Sequence, residues 1–290
     1  MSIKNLLNKS IKELKGISSS PDLDCEILLS FVLKKNKEYL FANSEIELNE
    51  KQIEQFNQLL ERRKKHEPIA YIINNKEFFG LNFYVDKRVL IPRPETEILV
   101  EEVIREQKLR RSAFSGESRA SSRLELKIAD VGTGSGCIAV SLAKNLENAK
   151  IFAIDLSYDA LEVAKINVEK NKANVELLQG NLLEPLLENK VDIICANLPY
   201  ITVEQLDLTE EDVRKFEPKT ALIVKEETTL YSELLDQAPR YLNKNGIIFF
   251  EIDPVFKDKM INLVKEKMPE AKYEIKNDLG GCERVMIIWV

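Results

Sequence analysis

A single histidine, His66, stands in 290 residues, and that scarcity takes Ser-His and Cys-His catalytic arrangements almost entirely out of consideration. Cysteine is sparse too. Cys25, Cys137, Cys195 and Cys282 are scattered with no CxxC pair, so neither a zinc site nor a disulfide framework is indicated, and the four read as buried thiols. No metal is expected. No apolar run approaches the ~20 residues a membrane helix needs. The opening MSIKNLLNKSIKELKG has no signal-peptide core, so the expectation is a cytoplasmic protein without membrane attachment. A basic surplus is missing as well: the formal charge is −6, which argues against a dedicated nucleic-acid binder and leaves nucleic acid at most an indirect partner. What remains is an ordinary soluble composition, long enough for two domains and a full α/β core.

Glycine is scarce, yet three of the ten fall within five residues. In KIADVGTGSGCIAVSLAK (127–144), Ile128, Ala129 and Val131 suit a buried parallel strand and helix formers follow from about Cys137. Gly132, Gly134 and Gly136, with Thr133 and Ser135 between them, let the backbone turn tightly and approach a ligand. The helix then points its free N–H groups and positive dipole end at that ligand. The loop is G-x-G-x-G, one residue short of the dinucleotide fingerprint. Downstream, IFAID (151–155) ends in Asp155, a carboxylate placed to accept both hydroxyls of a ribose. Together the two pieces resemble motifs of S-adenosylmethionine-dependent methyltransferases.

Ahead of this lies a region, 1–67, with apolar residues at helical spacing: Ile3, Leu6, Leu7, Ile11 and Leu14 form one stripe. Pro21 opens a second helix, and a third runs from about Asn49 to a basic end, Arg62 to Lys65, that complements the dipole. This predicts a small all-α domain in which nothing is chemically pointed, so that on its residues alone a packing cap would explain it. Residues 68–90 alternate β-branched and aromatic residues around Asn74-Asn75 and Gly80 and read as a β-hairpin linker. In IPRPETE (91–97), two prolines bracket Arg93; a plain helix start explains the segment, and so does a guanidinium aimed at a ligand. From Lys108 to Arg123 the pattern dissolves into serines and basic residues that cannot bury a core, so 108–123 reads as a solvated, mobile insertion, with an accessory nucleic-acid contact as the alternative.

After the glycine loop come a helix from Tyr158, a third strand from Val175 and a fourth, VDIICA (191–196). The loop after the third strand flanks the adenine in this class, which places Asn181 and Leu182 there by position. The fourth strand delivers Asn197, Leu198, Pro199 and Tyr200 at its carboxyl end, where open α/β sheets bind ligands. Methylating a planar nitrogen is hard because its lone pair is delocalised. The Asn197 carboxamide oxygen and the Leu198 carbonyl are candidate acceptors for both N–H hydrogens, so that the lone pair faces a methyl donor. Pro199 stiffens the turn and Tyr200 offers a ring to stack on a flat substrate. A fifth strand (247–252), a helix and a closing strand pair across Asn277 to Gly281 make the last strand antiparallel. The expected fold is thus α/β: a Rossmann-like class I methyltransferase sheet (91–290) behind the helical domain and hairpin.

In this order, IPRPETE (91–97), DVGTGSG (130–136), Asp155, NLPY (197–200), FEPKTAL (216–222) and NDLGGCERV (277–285) resemble the release-factor glutamine methyltransferases, the PrmC/HemK family. The resemblance implies that S-adenosylmethionine methylates the side-chain nitrogen of the glutamine in the Gly-Gly-Gln tip of peptide-chain release factors. It implies cofactor contacts from 132–136, Asp155, Asn181, Leu182 and Asn197, a grip on the glutamine amide by Asn197 to Tyr200, and docking of the release factor on the N-terminal domain.

The sequence departs from that family in places. Leu198 replaces the usual first proline of the tetrapeptide, Asn181 stands where an acid is common, Val224 to Thr228 replace a glycine-rich segment, and 108–123 is extra. Asn-Leu-Pro-Tyr also occurs in adenine-dimethylating ribosomal RNA enzymes. Two further readings therefore stay open: an adenine-amino methyltransferase acting on RNA or DNA, and a non-catalytic S-adenosylmethionine-binding module.

Overall fold

The computed structural model describes residues 1–113 and 125–290, which divide into two compact units, 1–75 with 209–217 and 76–208 with 218–290. The first unit holds helices α1 (Ile3–Leu14), α2 (Pro21–Leu33), α3 (Lys37–Ala42), α4 (Glu50–Lys64) and α5 (Ile69–Ile72), together with the later helix Glu211–Phe216. Local chemistry starts these helices: Pro21 occupies the first turn of α2, and Asn49 and Gln52 form a reciprocal capping box at α4. Ile3, Leu6 and Leu14 of the predicted stripe bury against Leu28, Phe56 and Leu60. The basic end of α4 is not uniformly solvated. Arg63 turns inward, its Nε donating to Asp24 Oδ2 at 2.7 Å, with Asp212 at 3.8 Å.

The helical run continues past residue 67, because Pro68 opens one more turn, α5. The hairpin is correspondingly shorter than 68–90: β1 (Lys76–Phe78) pairs with β2 (Leu81–Phe83) across Phe79-Gly80, both at positive φ, as a type I′ connection demands. Pro94–Thr96 form a 3₁₀ turn that leads into α6 (Glu97–Ala113). The part of the 108–123 segment up to Ala113 is helical, with Arg110 donating to the Asn245 carbonyl at 2.8 Å; residues 114–123 lie outside the described residues.

The second unit is built on a seven-stranded sheet: β3 (Leu126–Val131), β4 (Ala149–Asp155), β5 (Val175–Gln179), β6 (Val191–Ala196), β7 (Leu242–Glu251), β8 (Lys272–Asn277) and β9 (Glu283–Trp289). The order is β5-β4-β3-β6-β7-β9-β8, with β9 antiparallel to both its neighbours. Helices α7 (Cys137–Asn145) and α8 (Tyr158–Asn171) join the first strands. The short α9 (Val203–Leu206), the Glu211–Phe216 helix as α10, α11 (Thr229–Tyr241) and α12 (Lys257–Lys267) follow. Alternation along each strand sends Ile128, Ile151 and Ile193 to one face against α6 and α7, and Ala129, Phe152 and Ile194 to the other against α11 and α12. Three cysteines are buried as expected, but Cys282 is exposed, because it sits in the β8–β9 turn rather than on a strand. Among the described residues, no helix is long and apolar enough to cross a membrane.

Candidate active site

The chain leaves β3 toward β4 and β5 and returns on the other side at β6, so the strand order reverses between β3 and β6. Such a reversal opens a crevice beyond the carboxyl ends of the strands. Register then sets what meets there. Ile154, Val131, Ala196 and Phe250 pair in one row across β4, β3, β6 and β7. The next residue of each strand is therefore Asp155, Gly132, Asn197 and Glu251, four chemically pointed positions side by side.

A cavity of about 350 Å³ opens over this row, of a size suited to a small ligand. Its lining includes Gly132, Gly134, Asp155, Asn181, Leu182, Asn197, Leu198 and Pro199, drawn from four loops. Thr133, Ser135, Gly136, Tyr200 and Arg93 are not lining residues of this cavity. Thr133 and Ser135 are buried beneath the loop. Gly136 caps α7 at φ +79° with Ala164 Cβ 3.3 Å from where a Cβ would stand, so its role is close helix packing. Gly132, at φ +71°, faces Leu198 Cδ2, which a Cβ would meet at 3.0 Å.

Carboxylates hold the glycine loop from both sides. Asp155 accepts the Gly134 N–H on Oδ2 and the Ser157 N–H on Oδ1, each at 2.8 Å. Burial raises its carboxyl above the ordinary value, against those backbone bonds. Asp130, at the end of β3, is fully buried; it accepts the Thr133 hydroxyl at 2.6 Å and the Ala139 N–H at 3.1 Å. One N–H of the first turn of α7 is thus taken by the protein rather than left to a ligand. Burial pushes Asp130 up to about 7. Asn167, a buried residue of α8, donates to the carbonyls of Ser135 at 2.8 Å and Tyr84 at 2.9 Å, and so ties the loop to the segment after the hairpin. Neither Asp130 nor Asn167 was singled out by spacing, although the acid directly before the glycine loop was a readable signal.

On the β6 side, Asn197 is half-buried and its Nδ2 donates to Thr96 Oγ1 at 3.2 Å. The Leu198 carbonyl lies 3.2 Å from the Tyr231 hydroxyl. Tyr200 packs its ring on Phe256, centroids 5.1 Å apart and tilted 42°, instead of standing free. Burial and the nearby Glu251 and Asp253 push its phenol up, while Arg284 and Arg93 pull it down, which sets Arg93 on this side of the site. Asn181 donates to Glu184 at 3.4 Å and Leu182 holds φ +49°. Among the described residues, no group of three or more His, Cys, Asp or Glu could hold a metal ion.

The donor set fits an adenosyl cofactor: a ribose-height carboxylate beside a glycine turn, and an apolar wall at Leu182 and Leu198. Sheet order and the crevice at the strand ends together define the Rossmann-like class I methyltransferase fold. A methyltransferase structure from Pyrococcus furiosus shares the fold, with TM-score 0.50 and 18% identity over 80% of this chain and 96% of that one. The chain is also 35% identical to the release factor glutamine methyltransferase of Flavobacterium psychrophilum over 99% of its own length and 98% of that protein, and 34% identical to the one of Clostridium acetobutylicum over the same shares. It belongs to the release factor glutamine methyltransferase family.

Family models described as PrmC N-terminal domain and methyltransferase small domain match residues 5–73 and 118–215. A bifunctional methyltransferase of Rickettsia felis is 40% identical over 99% of this chain, but the chain spans only 58% of that relative, and 54% of the one from Rickettsia bellii.

Proposed function

We propose that this chain is a protein-(glutamine-N5) methyltransferase acting with S-adenosylmethionine on the Gly-Gly-Gln glutamine of peptide-chain release factors, in the cytoplasm, as part of translation termination. The bound cofactor supplies an electrophilic sulfonium methyl. Gly132, Gly134, Asp155, Asn181 and Leu182, which line the cavity, would hold it, the Asp155 carboxylate being suited to ribose hydroxyls and Leu182 to the flat adenine, while Thr133, Ser135 and Gly136 would shape the loop from behind. The Asn197 carboxamide oxygen and the Leu198 carbonyl accept the two N–H hydrogens of the glutamine amide and turn its lone pair toward the methyl. Pro199 stiffens this turn, and Tyr200 and Arg93 border the substrate side. Methyl transfer itself needs no general base; the strongly acidic methylated amide cation then gives up its proton to solvent water, so positioning and electrostatics carry the step.

One observation carries this reading: Asn197 follows the strand end next to Gly132, with its amide nitrogen already engaged by Thr96, which leaves the carboxamide oxygen as the free acceptor. The helical unit of residues 1–75 is the docking surface for the release factor. Leu198 in the tetrapeptide supports a second reading, methylation of an adenine amine in RNA or DNA, because that amine presents the same flat NH₂. Labelled S-adenosylmethionine separates them when offered with release factor, with release factor whose Gly-Gly-Gln glutamine is replaced, and with structured RNA. Label confined to intact release factor is expected; label in RNA alone overturns the first reading, and cofactor binding without transfer to either leaves a non-catalytic module. Asn197→Ala is expected to abolish transfer while cofactor affinity stays within about tenfold, ~1.4 kcal/mol.

A further inference from the structure

Beneath Asn197 and Leu198 lies a layer of buried polar groups that lines no part of the cavity. Its centre is Glu251, the last residue of β7, set beside Asn197 by the Ala196–Phe250 pairing. Glu251 bonds in two directions. Its carboxylate accepts the Thr96 hydroxyl, and Thr96 Oγ1 in turn accepts Asn197 Nδ2 at 3.2 Å. Its backbone carbonyl accepts the Tyr231 hydroxyl at 2.8 Å, and the same hydroxyl touches the Leu198 carbonyl at 3.2 Å. Thr96, Tyr231 and Glu251 are all buried, and Glu251 Oε2 has no hydrogen-bond partner among the described residues.

A buried carboxyl with an unsatisfied oxygen is a costly way to fill space, since an apolar residue of the same size would carry no desolvation penalty. Its retention makes sense through what it orients. A carboxamide turned over by half a turn exchanges acceptor for donor, and an Asn197 so reversed would present N–H groups to an incoming NH₂. Thr96 prevents this, because its hydroxyl proton is committed to Glu251 and only its lone pairs face Asn197. Tyr231 does the corresponding work for Leu198: its one proton is shared between the nearer Glu251 carbonyl and the Leu198 carbonyl, so the Leu198 carbonyl is held in direction while its second lone pair stays free to accept.

We propose that Thr96 and Tyr231, both anchored on Glu251, are positioning residues that fix the two amide acceptors, Asn197 Oδ1 and the Leu198 carbonyl, toward the substrate nitrogen. This rests on the assignment of Asn197 and Leu198 as acceptors of a planar NH₂.

The test compares Thr96→Val, Thr96→Ser and Tyr231→Phe in the full chain by methyl transfer, by calorimetric S-adenosylmethionine affinity, and by the exchange rate of the Asn197 side-chain amide in nuclear magnetic resonance. Thr96→Val is expected to lower kcat on the order of a hundredfold with cofactor affinity within about threefold, and Thr96→Ser to restore it. Tyr231→Phe is expected to lower kcat about tenfold with the same unchanged cofactor affinity. The Asn197 amide hydrogens exchange slowly in the parent and in Thr96→Ser, and fast in Thr96→Val. Parent-level kcat in Thr96→Val, cofactor affinity falling in step with kcat, or Thr96→Ser as defective as Thr96→Val would each overturn the proposal. If the parent chain labels RNA and not release factor, the glutamine reading falls, while the same variants assayed on RNA still decide the positioning role.

Discussion

Asp155 Oδ2 accepts the backbone N–H of Gly134 at 2.8 Å, so the acid at the end of β4 holds the glycine loop at the end of β3 in place before any ribose arrives. The two motifs are one hydrogen-bonded unit, because the second carboxylate oxygen is occupied in the same way by Ser157. Asp155→Asn keeps the shape but turns one acceptor into a donor that faces a backbone N–H. The expected result is a loss of S-adenosylmethionine affinity of about tenfold or more, roughly 1.4 kcal/mol. Calorimetry decides it: an unchanged Kd would separate the loop from Asp155.

Gly132 carries two different demands. Its φ of +71° strains any residue with a Cβ, and that Cβ would stand 3.0 Å from Leu198 Cδ2. Because the contacting atom is the end of a side chain, the backbone part dominates, and Gly132→Ala is expected to cost about 1–2 kcal/mol in chemical denaturation. Adding Leu198→Ala should recover only the contact part. Full recovery in the double variant would show that sterics, and not φ, select glycine here.

In the helical unit, Arg63 and Asp24 are both nearly excluded from solvent, with 9% and 11% of their side-chain surface exposed, and Asp24 also accepts the Ser18 hydroxyl at 2.7 Å. Removing one partner strands a buried charge. Arg63→Met is therefore expected to destabilise this unit by about 3–5 kcal/mol, whereas Arg63→Met with Asp24→Asn should recover most of it. Asp212 lies farther from Arg63, at 3.8 Å, and Asp212→Asn should cost about 1 kcal/mol or less. Denaturation midpoints of the four chains test the ranking.

The strands from β3 onward and the longer helices α7, α8, α11 and α12 were legible because period-2 and period-3.6 patterns are local, whereas the short α9 and α10 carry too few residues to show a period. So were the glycine loop and the tetrapeptide. What stayed hidden is what register and burial create. The bond from Asn197 to Thr96 spans 101 positions and that from Tyr231 to Glu251 spans 20, so no spacing announces them. The hairpin was drawn too wide: Gly80 does lie in its turn, but its partner there is Phe79 in the left-handed conformation, and Pro68 opens a helical turn where strand was expected. Arg63 was read as part of the basic end that complements the α4 dipole, and only tertiary packing turns it toward Asp24.

Glu251 also predicts how stability depends on pH. Burial, helped by the Glu95 charge, raises its carboxyl to about 7 against the opposing Thr96 hydrogen bond, Arg284 and Arg93. The folded chain therefore binds a proton that the unfolded chain has released between about pH 4.5 and 7. A raised acid stabilises the fold below its unfolded pKa, and that contribution is lost as pH rises through about 7. Asp130, raised to about 7 mainly by burial, acts in the same direction and steepens the loss. Glu251→Gln removes one of the two protons, so the stability it loses between pH 5 and 8 should be smaller than the parent's, by on the order of 3 kcal/mol. Denaturant titrations of both chains at the two pH values measure that difference directly. Equal slopes would mean that Glu251 is ionised in the folded chain throughout, with its charge held by Arg284 and Arg93 rather than suppressed by burial.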